Sequence, residues 1–211
     1  MKPAQTGKNY DEIAEWWKDH FTVSEYGMEP LKRALTLCTN KSTALEIGCG
    51  SSGRMIRQMT AEGFSVTGID VSKEMIRIAR TTDPQACYEH ADICTWGTPI
   101  RFDLIVAWDS IFHIPQDSHN GVIAKMCTLL NPDGILLYTL GNDIGERWGE
   151  CCGQPLYHSS IGIEKNLARL AEYRCRCLHL ELDQYPEDHV FIIAKKIDRK
   201  DFDEQTVVKQ S

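Results

Sequence analysis

Ala44-Leu45-Glu46-Ile47-Gly48-Cys49-Gly50-Ser51-Ser52-Gly53 decides the reading of this chain. A short apolar run, Thr43 to Ile47, breaks into Gly-x-Gly-x-x-Gly and passes into the helical run Arg54-Met55-Ile56-Arg57-Gln58-Met59. Glycines at a strand-to-helix junction let the backbone turn sharply and approach a ligand beside the positive end of the helix. Alone, the pattern also fits a tight structural turn. Asp70 adds to it, twenty positions beyond Gly50 and at the end of a second strand, Ser65 to Asp70. A carboxylate there can grip both hydroxyls of an adenosine ribose.

Outward from this core the same rhythm repeats. Gly63 stands where a glycine closes a helix, and Ser72 caps the next one, whose Met75, Ile76, Ile78 and Ala79 face inward. Cys87 to Asp92 and Phe102 to Ala107 read as the third and fourth strands. A helix around Val122 to Met126 ends before the turn Asn131-Pro132-Asp133-Gly134, and Ile135 to Leu140 is the fifth strand. Gly141 to Ser160 is polar and glycine-bearing and reads as a loop or short insertion. Ile163 to Tyr173 is an amphipathic helix. Cys177 to Leu182 and Val190 to Ala194 form a terminal antiparallel hairpin across Tyr185-Pro186-Glu187-Asp188. The expected fold is α/β: a Rossmann-like, doubly wound, mostly parallel seven-stranded sheet with a C-terminal antiparallel hairpin, flanked by helices.

Both the glycine turn and Asp70 suit NAD as well as S-adenosylmethionine. Glu46 separates them, because a carboxylate two residues before Gly48 repels a pyrophosphate and tolerates an amine-bearing ligand. Ala91-Asp92-Ile93 ends the third strand with an acceptor for an adenine amino group, helix capping being the other role open to Asp92. Ala44 to Gly50, Gly68-Ile69-Asp70-Val71-Ser72, Ala91-Asp92-Ile93, Phe102 to Val106 and Leu130 to Gly134 together resemble the successive motifs of the class I S-adenosylmethionine-dependent methyltransferases. The resemblance runs from about Thr43 to Leu140, and the hairpin is similar to the family's reversed seventh strand. It implies Gly48 and Gly50 against the methionine part, Asp70 on the ribose, Val71 and Met75 beside the adenine, and Asp92 and Ile93 at its edge. Tyr10, Glu46, Cys49, Ala91 and Trp108 complete the implied cofactor set, with S-adenosylhomocysteine as product. Asn131 departs from the family's usual lysine or arginine, at a surface turn.

The acceptor side is less defined. Trp108 to Pro115 follows the fourth strand at the carboxyl edge of the sheet, and the resemblance puts it next to the methyl group. His113 and Asp109 are the candidate catalytic residues, as bases or as orienting groups; packing and capping are their alternative roles. Trp17, His113, Tyr157 and His158 are the candidate acceptor contacts. An N-terminal helix, Tyr10 to Phe21, is expected to act as a lid hinged on a polar Met1 to Asn9.

Composition bounds the rest. The 211 residues, 42% hydrophobic and 25% charged, fit one globular domain. It divides into a lid (1–40), a cofactor core (43–140), an acceptor-side segment (141–197) and a polar tail (198–211). A net charge of −7 disfavours nucleic acid as partner and leaves a small-molecule acceptor. No run of residues suggests a membrane span, and Met1 to Gly7 lacks the core of a secretory signal, so a cytoplasmic protein is expected. Nine cysteines without a regular framework read as thiols, mostly small core residues, and no metal site is expected. An NAD-dependent oxidoreductase and a non-catalytic S-adenosylmethionine-binding protein are the alternatives.

Overall fold

The computed structural model of the protein describes residues 1–184, 186 and 188–198. The expected polar tail beyond Asp198, with Tyr185 and Glu187 of the last turn, lies outside the described residues.

Seven strands form one sheet: β1 (Thr43–Ile47), β2 (Ser65–Asp70), β3 (Cys87–His90), β4 (Phe102–Ala107), β5 (Leu130–Gly141), β8 (Cys175–Leu182) and β9 (His189–Lys196). Their order is β3-β2-β1-β4-β5-β9-β8. The first five run parallel, and β9 lies antiparallel between β5 and β8. The order reverses direction between β1 and β4, so the carboxyl ends of these two strands open a crevice where α/β sheets bind ligands.

Alternation along the strands builds a core on each face. Leu45, Ile105, Leu136 and Ile192 join one cluster, and their neighbours Ala44, Leu104, Leu137 and Ile193 join the other. Helices α6 (His119–Leu129) and α7 (Gly162–Glu172) cover the first face. Helices α3 (Met28–Leu37), α4 (Arg54–Ala61) and α5 (Lys73–Thr82) cover the second.

Local chemistry sets the helix ends. Ser72 accepts a hydrogen bond from the Met75 amide and so caps α5. Gly63, at φ +100°, closes α4: its amide bonds the Thr60 carbonyl and the Phe64 amide bonds that of Met59. That is the paired closure a left-handed glycine permits.

Three expectations change. Gly141 to Ser160, expected as a loop or short insertion, is largely an inserted hairpin: a second, two-stranded sheet, β6 (Ile144–Cys151) paired antiparallel with β7 (Gln154–Ile161). Its turn is Cys152-Gly153, both at positive φ (52° and 78°), the twist that suits two-residue hairpins. The N-terminal segment is not one helix with a free polar leader. It forms α1 (Pro3–Asp11) and α2 (Ala14–Phe21), which break at Glu12 and Ile13. Pro3 starts α1 because a missing amide costs nothing there. Thr6, Gly7 and Asn9, expected in a polar hinge, are buried; a Cβ on Gly7 would lie 2.3 Å from the Val71 carbonyl oxygen. The cysteines are also less internal than expected: three of nine, Cys49, Cys127 and Cys175, are buried. No helix among the described residues is long and apolar enough to cross a membrane, and none of their His, Cys, Asp and Glu groups is arranged to hold a metal ion.

Candidate active site

The turn after β1 is built for close approach. Gly48 sits at φ +71°, and a Cβ there would stand 2.2 Å from Ser110 Cβ. Gly50, at φ +59°, donates its amide to Asp70 Oδ2 at 2.9 Å, and the Ser72 amide donates to Asp70 Oδ1 at 2.8 Å. Asp70 therefore welds the glycine turn to the end of β2. Each carboxylate oxygen keeps a further lone pair for a ligand. Burial pushes the Asp70 carboxyl up, and the two backbone amides pull against that shift.

Around this weld lies a cavity of ≈ 100 Å³. Of the expected cofactor residues it is lined by Tyr10, Gly48, Gly50, Asp70, Val71, Met75, Ala91, Asp92, Ile93 and Trp108. Asp92 also accepts from the Cys94 amide at 2.9 Å, so it shapes the turn after β3 while bordering the cavity. Two expected residues are elsewhere. The Glu46 side chain is buried among the core of the second face and does not line this cavity. Burial raises its carboxyl to about 8, against the pull of Arg54. Cys49 also turns inward, its sulfur against Gly68 of β2. Strand alternation turns Glu46 away from the crevice, and the close approach to Gly68 draws Cys49 into the core.

The acceptor-side residues divide. Trp17 and His113 line the first cavity; the Trp17 indole nitrogen lies 3.1 Å from where a Cβ on Gly50 would be. His158 lines a second cavity of ≈ 630 Å³, together with Tyr26, Phe112, Gln184 and His189. Tyr157 borders neither. Its hydroxyl donates to Glu146 Oε1 at 2.8 Å and its ring meets Trp148, because the register of β7 turns it away from the sheet. Asp109 belongs to both cavities and stands between them. It holds φ +47°, a region a non-glycine residue rarely enters, and its amide bonds Thr139 Oγ1 at 2.8 Å.

Two histidines there have assigned states. His113 Nδ1 lies 2.7 Å from the Tyr157 carbonyl oxygen, which only accepts, so Nδ1 carries the hydrogen. Nε2 then accepts from the Tyr10 hydroxyl at 2.9 Å. Burial lowers this imidazole to about 4 and it stays neutral. His189 faces carboxylates with both nitrogens: Asp183 through Nδ1 at 2.5 Å, and Asp109 through Nε2 at 2.8 Å. Burial opposes its charge, but these two hydrogen bonds outweigh it and raise its pKa.

Sequence reasoning missed Thr6, Ser110 and His189. Thr6 precedes Tyr10 by four residues, one helical turn, and both line the first cavity. Among the described residues six buried side-chain polar atoms have no hydrogen-bond partner. Three of them, Thr6 Oγ1, Trp108 Nε1 and Ser110 Oγ, belong to residues lining this one cavity. Buried polar groups are ordinarily satisfied, so their concentration here fits a polar ligand such as an adenosyl amino acid.

Comparison with known proteins agrees. Residues 44–134 match a family described as "Methyltransferase domain". The 27-O-demethylrifamycin SV methyltransferase of Amycolatopsis mediterranei is 29% identical over 200 residues, covering 81% of this chain. The match spans 65% of that relative's length. Among solved structures, the CcbJ methyltransferase of Streptomyces caelestis superposes with a TM-score of 0.71 at 12% identity, covering 93% of this chain and 99% of that one. The DhpI–SAH complex gives 0.68 at 16% identity, covering 92% and 97%. At these identities the likeness is one of fold. The five sequence motifs in order, the reversed terminal hairpin and the weld between glycine turn and Asp70 are consistent with a class I S-adenosylmethionine-dependent methyltransferase, whose fold this chain shares.

Proposed function

We propose that the protein binds S-adenosylmethionine in the cavity over Gly48, Gly50 and Asp70, and passes its methyl group to a small molecule in the adjoining cavity. The observation that carries this is the set of unpartnered buried polar groups of Thr6, Trp108 and Ser110 around the first cavity. When bound, the cofactor supplies a methyl group already activated on a sulfonium. The protein's share is alignment and exclusion of water, and orientation alone contributes on the order of 7–11 kcal/mol to such reactions. Asp70 anchors the ribose, Asp92 and Ile93 meet the adenine, and Asp109 stands where the two cavities join. His113 holds Tyr10 and does not act as the base, since its free lone pair is taken.

The first cavity, at ≈ 100 Å³, is smaller than the ~300–1,000 Å³ usual for small-molecule sites. Pro3, Thr6, Tyr10 and Trp17 of α1 and α2 form its roof, so these helices draw back as the cofactor seats and then exclude solvent. The relative named above is, by its name, a methyltransferase of 27-O-demethylrifamycin SV. Calorimetry with S-adenosylmethionine, S-adenosylhomocysteine and NAD tests the binding. Tight binding of the first two and none of NAD is expected; preference for NAD would overturn the proposal. Release of S-adenosylhomocysteine with an acceptor library then separates an enzyme from a protein that only binds.

A further inference from the structure

The second cavity is unevenly charged. Its wall carries the carboxylates of Asp109, Asp143, Glu146 and Asp188 against two cationic groups: the Arg147 guanidinium, paired with Asp188 at 3.2 Å, and the His189 imidazole, whose pKa is raised by its bonds to Asp183 and to Asp109 Oδ1. Tyr26 and Phe112 add aromatic faces of the kind that attract cations. Only one of these carboxylates, Asp109, also lines the cofactor cavity, so it stands where donor and acceptor meet.

On the methyl-transfer reading above, we propose that the acceptor is an amine, and that Asp109 is the group that holds it and stabilises its charge. The sign of the charge that develops decides between acceptors. A neutral amine nitrogen donates its lone pair to the methyl carbon, the carbon–sulfur bond breaks, and its electron pair stays on sulfur. The positive charge leaves the sulfonium and appears on nitrogen as a methylammonium, with the thioether left neutral. An amine that arrives protonated first sheds one proton to solvent through the open side of the cavity. A fixed carboxylate at the junction favours charge that becomes positive there and opposes a phenolate, alkoxide or carboxylate nucleophile.

The neighbouring bases point the same way. A hydroxyl acceptor needs a proton acceptor, and His113 has its lone pair bonded by Tyr10 while His189 has both nitrogens against carboxylates. His158, also in the wall, is depressed by burial and by Arg147, which makes it a weak base. An amine that binds as the free base asks nothing of them.

The test uses protein loaded with S-adenosylhomocysteine. Phenethylamine and glucosamine are titrated against 2-phenylethanol, hydrocinnamate and glucose by calorimetry, and the same compounds are offered with S-adenosylmethionine and analysed for N-methyl products. Amines should bind at least about tenfold more tightly than their neutral or anionic counterparts. Asp109→Asn, whose side chain tolerates the same left-handed backbone, should erase that preference while the variant still melts cooperatively. Preference for the alcohols or the carboxylate, no amine binding to the loaded protein, or an unchanged preference in Asp109→Asn would each overturn the proposal. Failure of S-adenosylhomocysteine itself to bind would strike the cofactor reading instead.

Discussion

The Tyr10 hydroxyl lies 2.9 Å from Nε2 of His113, and this bond fastens the N-terminal helix to the loop behind β4. Through its other nitrogen the same imidazole holds the Tyr157 carbonyl, so three segments distant in sequence meet on one neutral ring. The roof of the cofactor cavity is thus latched by groups that stay uncharged. Burial raises the Tyr10 phenol and lowers His113, which keeps the proton on tyrosine.

Tyr10→Phe removes the latch and keeps the ring. It leaves a buried imidazole nitrogen without a donor, at a cost of about 1–3 kcal/mol. Faster hydrogen exchange across α1 and α2 is expected, with weaker protection by S-adenosylhomocysteine. Exchange identical to that of the unaltered protein would show that the bond fastens nothing.

Asp70→Asn tests the ribose anchor. The amide has a single acceptor oxygen, whereas Asp70 serves two backbone amides and keeps lone pairs for ligand hydroxyls. Affinity for S-adenosylhomocysteine should fall by about 1.5–3 kcal/mol, one charge-assisted bond or more. Calorimetry giving the same dissociation constant in a folded variant would remove Asp70 from the site.

Glu46 gives the pH dependence a definite sign. Its folded carboxyl is raised to about 8 from an ordinary 4.5, so between those values the folded state holds a proton that the unfolded chain has lost. Its contribution to stability is complete below pH 4.5 and is lost as pH rises through about 8. Glu46→Gln lacks that dependence. The melting temperature of the variant minus that of the parent should climb from pH 4.5 to 8 and level above it; a flat difference would mean the carboxyl is not buried as described.

The sheet was legible because its signals are local. β1, β4 and the Ile135 to Leu140 part of β5 are mostly apolar runs, and Gly48, Gly50, Gly63 and Ser72 mark turns and caps with one physical meaning each. The β6–β7 hairpin was not legible. β6 is exposed along almost its whole length, so Ile144-Gly145-Glu146-Arg147-Trp148-Gly149 carries no inward-outward alternation to read. The direction of single side chains was also hidden. Glu46 and Cys49 lie in the right motif, yet the pleat and the close approach of Gly68 send them into the core. Tyr157 and His158 differ by one position in β7, and that one position decides which borders a cavity.

Thr6 offers the sharpest separation between a structural and a ligand-binding role. Its side chain is 4% exposed, its hydroxyl has no partner, and Gly7 beside it packs against Val71 at the end of β2. That contact sets Thr6 against the cavity near the end of β2, one turn from Tyr10. Thr6→Val keeps the shape and removes the hydroxyl. In the ligand-free protein this deletes an unsatisfied polar group, so stability should hold or rise by up to ~1 kcal/mol. With ligand the same change removes a hydrogen bond, and affinity for S-adenosylhomocysteine should drop by about 0.5–1.5 kcal/mol. Thr6→Ser, which keeps the hydroxyl, should bind like the parent. The two effects of valine have opposite signs, which no purely packing role produces. Denaturant unfolding and calorimetry on one preparation read both, and a variant less stable yet equally able to bind would show Thr6 to be a packing residue of the roof.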